Sequence, residues 1–270
     1  MESPQIPETA AAPGLVALVK QGLRRFVLAG LRAALWLRSK PLRLAAGGSC
    51  LVIAPHPDDE TLGCGGLIAH LRACHNAVEV VFLTDGDAAL TGHPRVAPRA
   101  LAAVRSQEAS TALGILGVGP DRLHFLGAPD GRLSRLTDTD RDRIQSALAR
   151  ILARCQPADV LLPWRRDGST EHETAFALVA APLRERKPGP RVLEYPVWAW
   201  WSPRLLAGLL LTAPRLLRLP LVRTRELKAR ALKEYRSQNQ PVTPWTKSAL
   251  PHGFADCFIG HFEYFIDANE

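Results

Sequence analysis

Little in this sequence points to disulfides. Its five cysteines, Cys50, Cys64, Cys74, Cys155 and Cys257, are odd in number and form no CxxC pair. The first residues also lack the charged start and apolar run of a secretory signal, so the expectation is a reduced, cytoplasmic protein. A membrane span is missing too. The two most apolar stretches, 14–40 and 198–222, hold no unbroken run of the roughly 18 to 20 residues that a bilayer crossing requires, and the second is interrupted by Pro203, Pro214 and Pro220. No internal repeat is visible, and no low-complexity tract beyond the first 13 residues. Aromatics able to stack bases are not interleaved with basic residues in the body of the chain, so the formal charge of +8 is not read as a nucleic-acid surface.

That charge is unevenly placed. Residues 1–45 carry seven Lys/Arg against two acids and residues 197–236 carry nine against two, so these segments hold a surplus of twelve and the remainder is net −4. Residues 1–13, "MESPQIPETAAAP", have three prolines and no apolar period and read as a disordered leader. From Gly14 to about Lys40 apolar residues recur at helical spacing, with Lys20, Arg24, Arg25, Arg32 and Arg38 mostly on one side, which predicts a basic amphipathic helix. Residues 46–270 read as one domain, with 197–236 as a basic, apolar helical insertion packed over it. The alternative for 14–40 and 198–222 is peripheral contact with anionic lipid on the cytoplasmic face of a membrane.

From Cys50 onward short β-rich runs alternate with helical stretches: "CLVIAP" then 60–74, "VEVVFLT" then 97–117, "RLHFLG" then 137–155, "ADVLLPW" then 171–185, and "RVLEYPV". Such alternation predicts right-handed crossovers and a Rossmann-like α/β fold, a mostly parallel sheet with helices on both faces. Ligands in that architecture bind at the carboxyl ends of strands.

One such end carries unusual chemistry. The segment "APHPDDETLGCGG", 54–66, puts a histidine and three carboxylates into five positions. His56 and Asp59, three apart across a turn stiffened by Pro57, are a nitrogen and an oxygen donor suited to Zn²⁺. Asp58 points elsewhere and is placed to act as a general base beside a metal, while Glu60 suits the helix N-terminus. The plainer alternative is an acidic loop capping a helix, although clustered carboxylates repel one another unless a cation offsets them. A catalytic zinc usually takes three protein ligands. In "LLPWRRDGSTEHETAFALV" a strand ends near Pro163, and His172 at the next helix start supplies a third.

The segment "HPDDETLGCGG" resembles the signature of the PIG-L or LmbE-like N-acetylglucosaminyl deacetylases, zinc enzymes that remove acetyl groups from amino sugars. "LTDG" at 83–86, "RSQEASTALGILG" at 105–117, "FLGAPDGRL" at 125–133, "PWRRD" at 163–167 and "KEYRSQ" at 233–238 fit the same order, and the resemblance covers about residues 48–266. It implies that His56, Asp59 and His172 bind the metal and that Asp58 is the base. It also implies that Arg105 and Asp130 hold sugar hydroxyls or a phosphate. Read without the family, Arg105 is a helix-face partner of Glu108 and Asp130 a turn residue before Gly131. Iron(II) suits the same His₂Asp set as zinc.

The second motif departs from the family's common "DPHPDH", whose first histidine steadies the oxyanion or protonates the leaving amine. Here it reads "DGSTEH", with Ser169 at that place and Glu171 at the carboxylate. Ser169 can donate a hydrogen bond to an oxyanion but supplies no proton near neutral pH. Three outcomes follow: Asp58 shuttles the proton both ways, His93, His252 or His261 swings in, or catalysis has lapsed. The reading is therefore a metal-dependent deacetylase of an N-acyl amino sugar or glycolipid, with a non-catalytic sugar- or metal-binding protein as the alternative.

Overall fold

Strand β2, Cys50–Ala54, is buried along its whole length, as befits a strand covered on both faces. The computed structural model describes residues 15–44, 47–184 and 188–268, and the expected leader at 1–13 lies outside them. In chain order the elements are α1 (Leu15–Arg38), β1 (Lys40–Pro41), β2, α2 (Asp59–Ala73), β3 (Val78–Thr84), α3 (Pro98–Ile115), β4 (Leu123–Ala128), α4 (Asp138–Cys155), β5 (Asp159–Pro163), α5 (Thr170–Arg184) and β6 (Arg191–Tyr195). They continue with α6 (Pro203–Thr212), β7 (Leu216–Pro220), α7 (Arg225–Leu232), α8 (Arg236–Asn239) and β8 (Phe262–Asp267).

The strands form one sheet in the order β1-β7-β8-β6-β5-β2-β3-β4. All neighbouring pairs are parallel except those that β8 makes with β6 and β7. Alternate residues of β2 feed two apolar layers. Cys50, Val52 and Ala54 join the layer of Leu67, Ile68 and Leu113, and Leu51 and Ile53 join Leu148, Ile151 and Leu178 on the other face. The chain winds outward from β2 through β3 to β4 and then returns to the opposite flank as β5 and β6. This puts the reversal of winding between the carboxyl ends of β2 and β5, the place where such sheets bind ligands.

Two expectations need correction. Residues 197–236 are not wholly helical: Leu216–Pro220 is a strand, paired with β8 on one side and β1 on the other. A short apolar run between prolines looks alike as helix or buried strand, and only its neighbours decide. The segment before residue 46 does not stand apart from the body either, because Leu28, Leu35 and Leu42 belong to the main apolar layer and β1 extends the sheet. Strands β1, β7 and β8 fall outside the strand–helix alternation of the sequence.

The glycines of α2 serve close packing. A Cβ on Gly63 would clash with the edge of the Tyr195 ring, 2.8 Å from Cγ and 2.9 Å from Cε2, and that ring is fixed because its hydroxyl donates to Ile53 O at 2.7 Å. Further along, Gly66 N and Leu67 N donate to the buried Glu263 carboxylate at 2.6 and 2.8 Å. Lys228 Nζ donates to both Glu263 and Leu62 O at 2.7 Å. Gly63→Ala is therefore expected to destabilise: overpacking costs about 1–3 kcal/mol, more than the roughly 0.5–1 kcal/mol that alanine adds to a helix interior. A lower urea midpoint with unchanged slope is the expected result.

Candidate metal centre and active cleft

Between β2 and α2 the chain makes a turn tied to the end of β3, where Thr84 N and Oγ1 donate to Pro55 O at 3.0 and 2.9 Å. Asp58 then takes φ 142°, ψ −32°, a left-handed conformation that costs a residue other than glycine of order 1–3 kcal/mol. The surroundings hold it there. Asp58 N donates to Glu60 Oε2 at 3.0 Å. The carbonyl of the same peptide, Pro57 O, accepts from Arg105 Nη2 at 3.1 Å and Gln238 Nε2 at 2.7 Å. Arg105 is buried and also donates to Gly86 O at 2.5 Å and to Gln238 Oε1. Glu60 receives the Thr61 hydroxyl at 2.6 Å and that of Tyr235. Burial nevertheless pushes its carboxyl up to about 7.

Asp59, the first residue of α2, faces two imidazoles. Its Oδ2 lies 3.1 Å from His56 Nδ1, and its Oδ1 lies 3.3 Å from His172 Nε2. His172 enters from the first turn of α5, beyond β5. Its other nitrogen, Nδ1, lies 2.9 Å from Asp167 Oδ2. Asp167 is fully buried and accepts from Val197 N, Trp198 N and Ala199 N at 3.0, 2.9 and 3.0 Å. The far side of His56, Nε2, meets Asp130 Oδ1 at 3.1 Å and Glu171 Oε2 at 3.6 Å. Asp130 also accepts from Ala88 N at 2.7 Å.

Burial opposes charge on both rings, but the carboxylates outweigh it. Asp59 and Asp167 raise His172 to about 9, and Asp130, Asp59 and Glu171 hold His56 well above its ordinary 6.5. Burial would also raise Asp59, yet the two histidines keep it far below the usual carboxylate range. At Asp58 burial and the neighbouring Asp59 act together and push the carboxyl well up.

The donor set fits a divalent cation. Ligand atoms from His56, Asp59 and His172 lie within 4.8 Å of one another, two nitrogens and an oxygen of the kind zinc or iron(II) takes. A ligand histidine usually gives its second nitrogen to a carboxylate or carbonyl, as His172 does with Asp167. Glu171 Oε2 is buried without a hydrogen bond, 3.6 Å from His56 Nε2. His56, Asp130 and Glu171 form a second group of this kind.

One cleft of about 290 Å³ gathers every expected site residue: His56, Asp58, Asp59, Arg105, Asp130, Ser169 and His172. Asp58 belongs to neither donor group, and its nearest cation is Arg105, 3.9 Å away. His93, His252 and His261 do not line the cleft. His93 turns instead to Val242 O, 3.1 Å from Nε2, and to the Trp245 ring. Arg105 does not pair with Glu108, which accepts from Ser237 N and Oγ at 2.8 and 2.6 Å. Asp167, Glu171 and Gln238 acquire parts in the site that the sequence did not assign. Asp167 stands five residues before His172 in "DGSTEH", and Gln238 closes "KEYRSQ".

The structure thus defines an α/β protein whose mostly parallel sheet carries, at its winding reversal, a His–Asp–His group that could hold a metal ion, with Asp58 beside it. Residues 51–182 match the family model PIG-L, GlcNAc-PI de-N-acetylase, and this segment is similar to that family. The chain is 32% identical over 156 residues to the 1D-myo-inositol 2-acetamido-2-deoxy-alpha-D-glucopyranoside deacetylase of Mycolicibacterium smegmatis, covering 49% of this chain and 53% of that one. It thus spans about half the length of that curated relative. The N,N'-diacetylchitobiose deacetylase from Pyrococcus horikoshii superimposes with a TM-score of 0.56 at 19% identity, over 84% of this chain and 81% of that one. The 4-carboxy-2-hydroxymuconate hydratase GalB from Pseudomonas putida KT2440 does so with a TM-score of 0.57 at 22% identity, over 71% and 80%. These two likenesses establish the fold, which a deacetylase and a hydratase share.

The charge on His172 has a measurable consequence in metal-free protein. Because the folded state raises its pKa from 6.5 to about 9, the stabilisation is fully present below pH 6.5 and is lost as pH rises through about 9. In the presence of a chelator the melting temperature is expected to fall across that window, and His172→Gln is expected to remove this part of the dependence.

Proposed function

We propose that this protein hydrolyses the N-acyl group, in the first place N-acetyl, of an amino sugar or sugar conjugate, glycolipids included, with zinc or iron(II) held by His56, Asp59 and His172. The observation that carries this reading is Asp58: a carboxylate outside the donor trio, strained into the cleft and raised in pKa beside it.

His56, Asp59 and His172 would hold the ion, which would supply Lewis acidity for the acyl carbonyl and the attacking water. Asp58 takes that water's proton as its oxygen adds to the carbonyl carbon. Ser169 donates a hydrogen bond to the oxyanion. When the C–N bond breaks, Asp58 returns the proton to the leaving nitrogen, giving amine and carboxylate. A carboxyl with a raised pKa suits both transfers. Asp167 fixes the orientation of His172, and Asp130 that of His56. Arg105 and Gln238 hold the 57–58 peptide, and Arg105 and Asp130 each keep an edge on the cleft for a sugar hydroxyl.

A second reading rests on Ser169. With no further histidine on the cleft wall, a weakened or non-catalytic sugar- or metal-binding protein is the alternative. Acetate release from a panel of N-acetyl amino sugars and sugar lipids by zinc- or iron-loaded protein separates the two. Asp58→Asn is expected to lower kcat by about 10² to 10⁴ while metal stoichiometry stays the same. No release from any substrate, with metal bound, would favour the second reading. Asp167→Asn is expected to weaken metal binding by about 10- to 100-fold in a competition titration with a chelator.

A further inference from the structure

Helix α1 buries Leu28 and Leu35 in the core yet carries a second apolar face outside. Its arginines Arg24 and Arg32 face the body, with guanidinium carbons 4.0 Å from the Trp201 ring centroid and 5.9 Å from that of Trp200. Arg24 also donates to Trp201 O at 2.5 Å. On the other side Leu23, Phe26, Val27, Gly30, Ala33 and Leu37 fall on one exposed face at helical spacing. Phe26 is 77% exposed and Leu37 75%. The helix sequence contains no acid at all. Leu211, at the end of α6, which packs against α1, is 83% exposed. Contiguous apolar exposure of this kind marks a docking surface.

Charge and shape select the occupant. Arg38, Lys40 and Arg43 are exposed where the chain leaves α1. Lys40, Arg43, Arg191 and Arg215 line one cleft there, with Asp267 as its one acid. Beside α1 a cavity of about 380 Å³, walled by Trp36, Trp200, Phe258, Phe262 and Tyr264 among others, provides apolar room that a flat protein partner would leave unfilled. Among the described residues no helix is long and apolar enough to cross a membrane. We propose that α1, with the end of α6, lies in the surface of an anionic lipid bilayer, its Leu and Phe side chains at the acyl boundary and Arg38, Lys40 and Arg43 at the phosphates. This surface is separate from the cleft and does not depend on the reaction assigned to it.

Flotation of the full chain tests this, using phosphatidylcholine vesicles with and without phosphatidylglycerol. At low ionic strength the protein floats with the mixed vesicles, less so as salt rises, and far less with phosphatidylcholine alone. Phe26→Ser with Leu37→Ser lowers partitioning about tenfold or more, and Leu23→Ser with Leu211→Ser does so independently. Both pairs keep the parent's melting temperature and its hydrolysis of a water-soluble N-acetyl amino sugar, so a failed docking result leaves the assignment of the cleft untouched. Three results overturn the proposal: no co-flotation with the mixed vesicles, variants that float like the parent, or a solution dimer that these substitutions dissociate.

Discussion

One carboxylate between two rings holds this site together. Asp59 belongs to the first turn of α2, while His56 precedes it on the β2 side and His172 arrives from α5, so a single side chain joins two strand ends separated by more than a hundred residues of sequence. Mutual attraction of a buried anion and two imidazoles is strong only because water is excluded, and the same exclusion makes each group expensive to leave unpaired. The outer carboxylates then divide the work. Asp167 and Asp130 each take the nitrogen that Asp59 does not, which fixes both rings in one orientation.

Around this centre the protein stores strain in one place and stiffens everything next to it. The backbone of Asp58 would relax if freed, but both ends of its leading peptide are gripped from three different elements: α2 through Glu60, α3 through Arg105 and α8 through Gln238. A strained conformation persists when its surroundings over-determine it, and such strain concentrates where chemistry needs a side chain aimed in advance.

The sequence made the first turn legible because its chemistry is local. "HPDDE" places donor atoms within five residues, and the strand before it announces itself by unbroken apolar content. His172 was legible through strand-end logic and family resemblance together. What stayed hidden was long-range. Asp167 looks like a loop acid until the backbone of 197–199 folds over it, and Gln238 like a surface amide until α8 brings it against Pro57. Strand β8 is antiparallel in a parallel sheet, so the alternation of strand and helix could not announce it. The orientation of α1 was hidden for a related reason. Periodicity finds the faces of a helix, but not that Arg24 and Arg32 would lie over Trp201 and Trp200, supplied by a segment about 170 residues away.

The buried Lys228–Glu263 pair has a consequence for how the chain matures. Glu263 sits in the last strand yet grips the middle of α2, and Tyr235 and Gln238 brace the turn in front of it. A nascent chain leaving the ribosome can pair β2 with β3 and β5 early, but its first motif lacks these braces until residues 228–263 have emerged. Assembly of the cleft thereby waits on segments far downstream of its first motif, and a chain truncated before residue 228 would present the cluster of carboxylates without the scaffold that tames it.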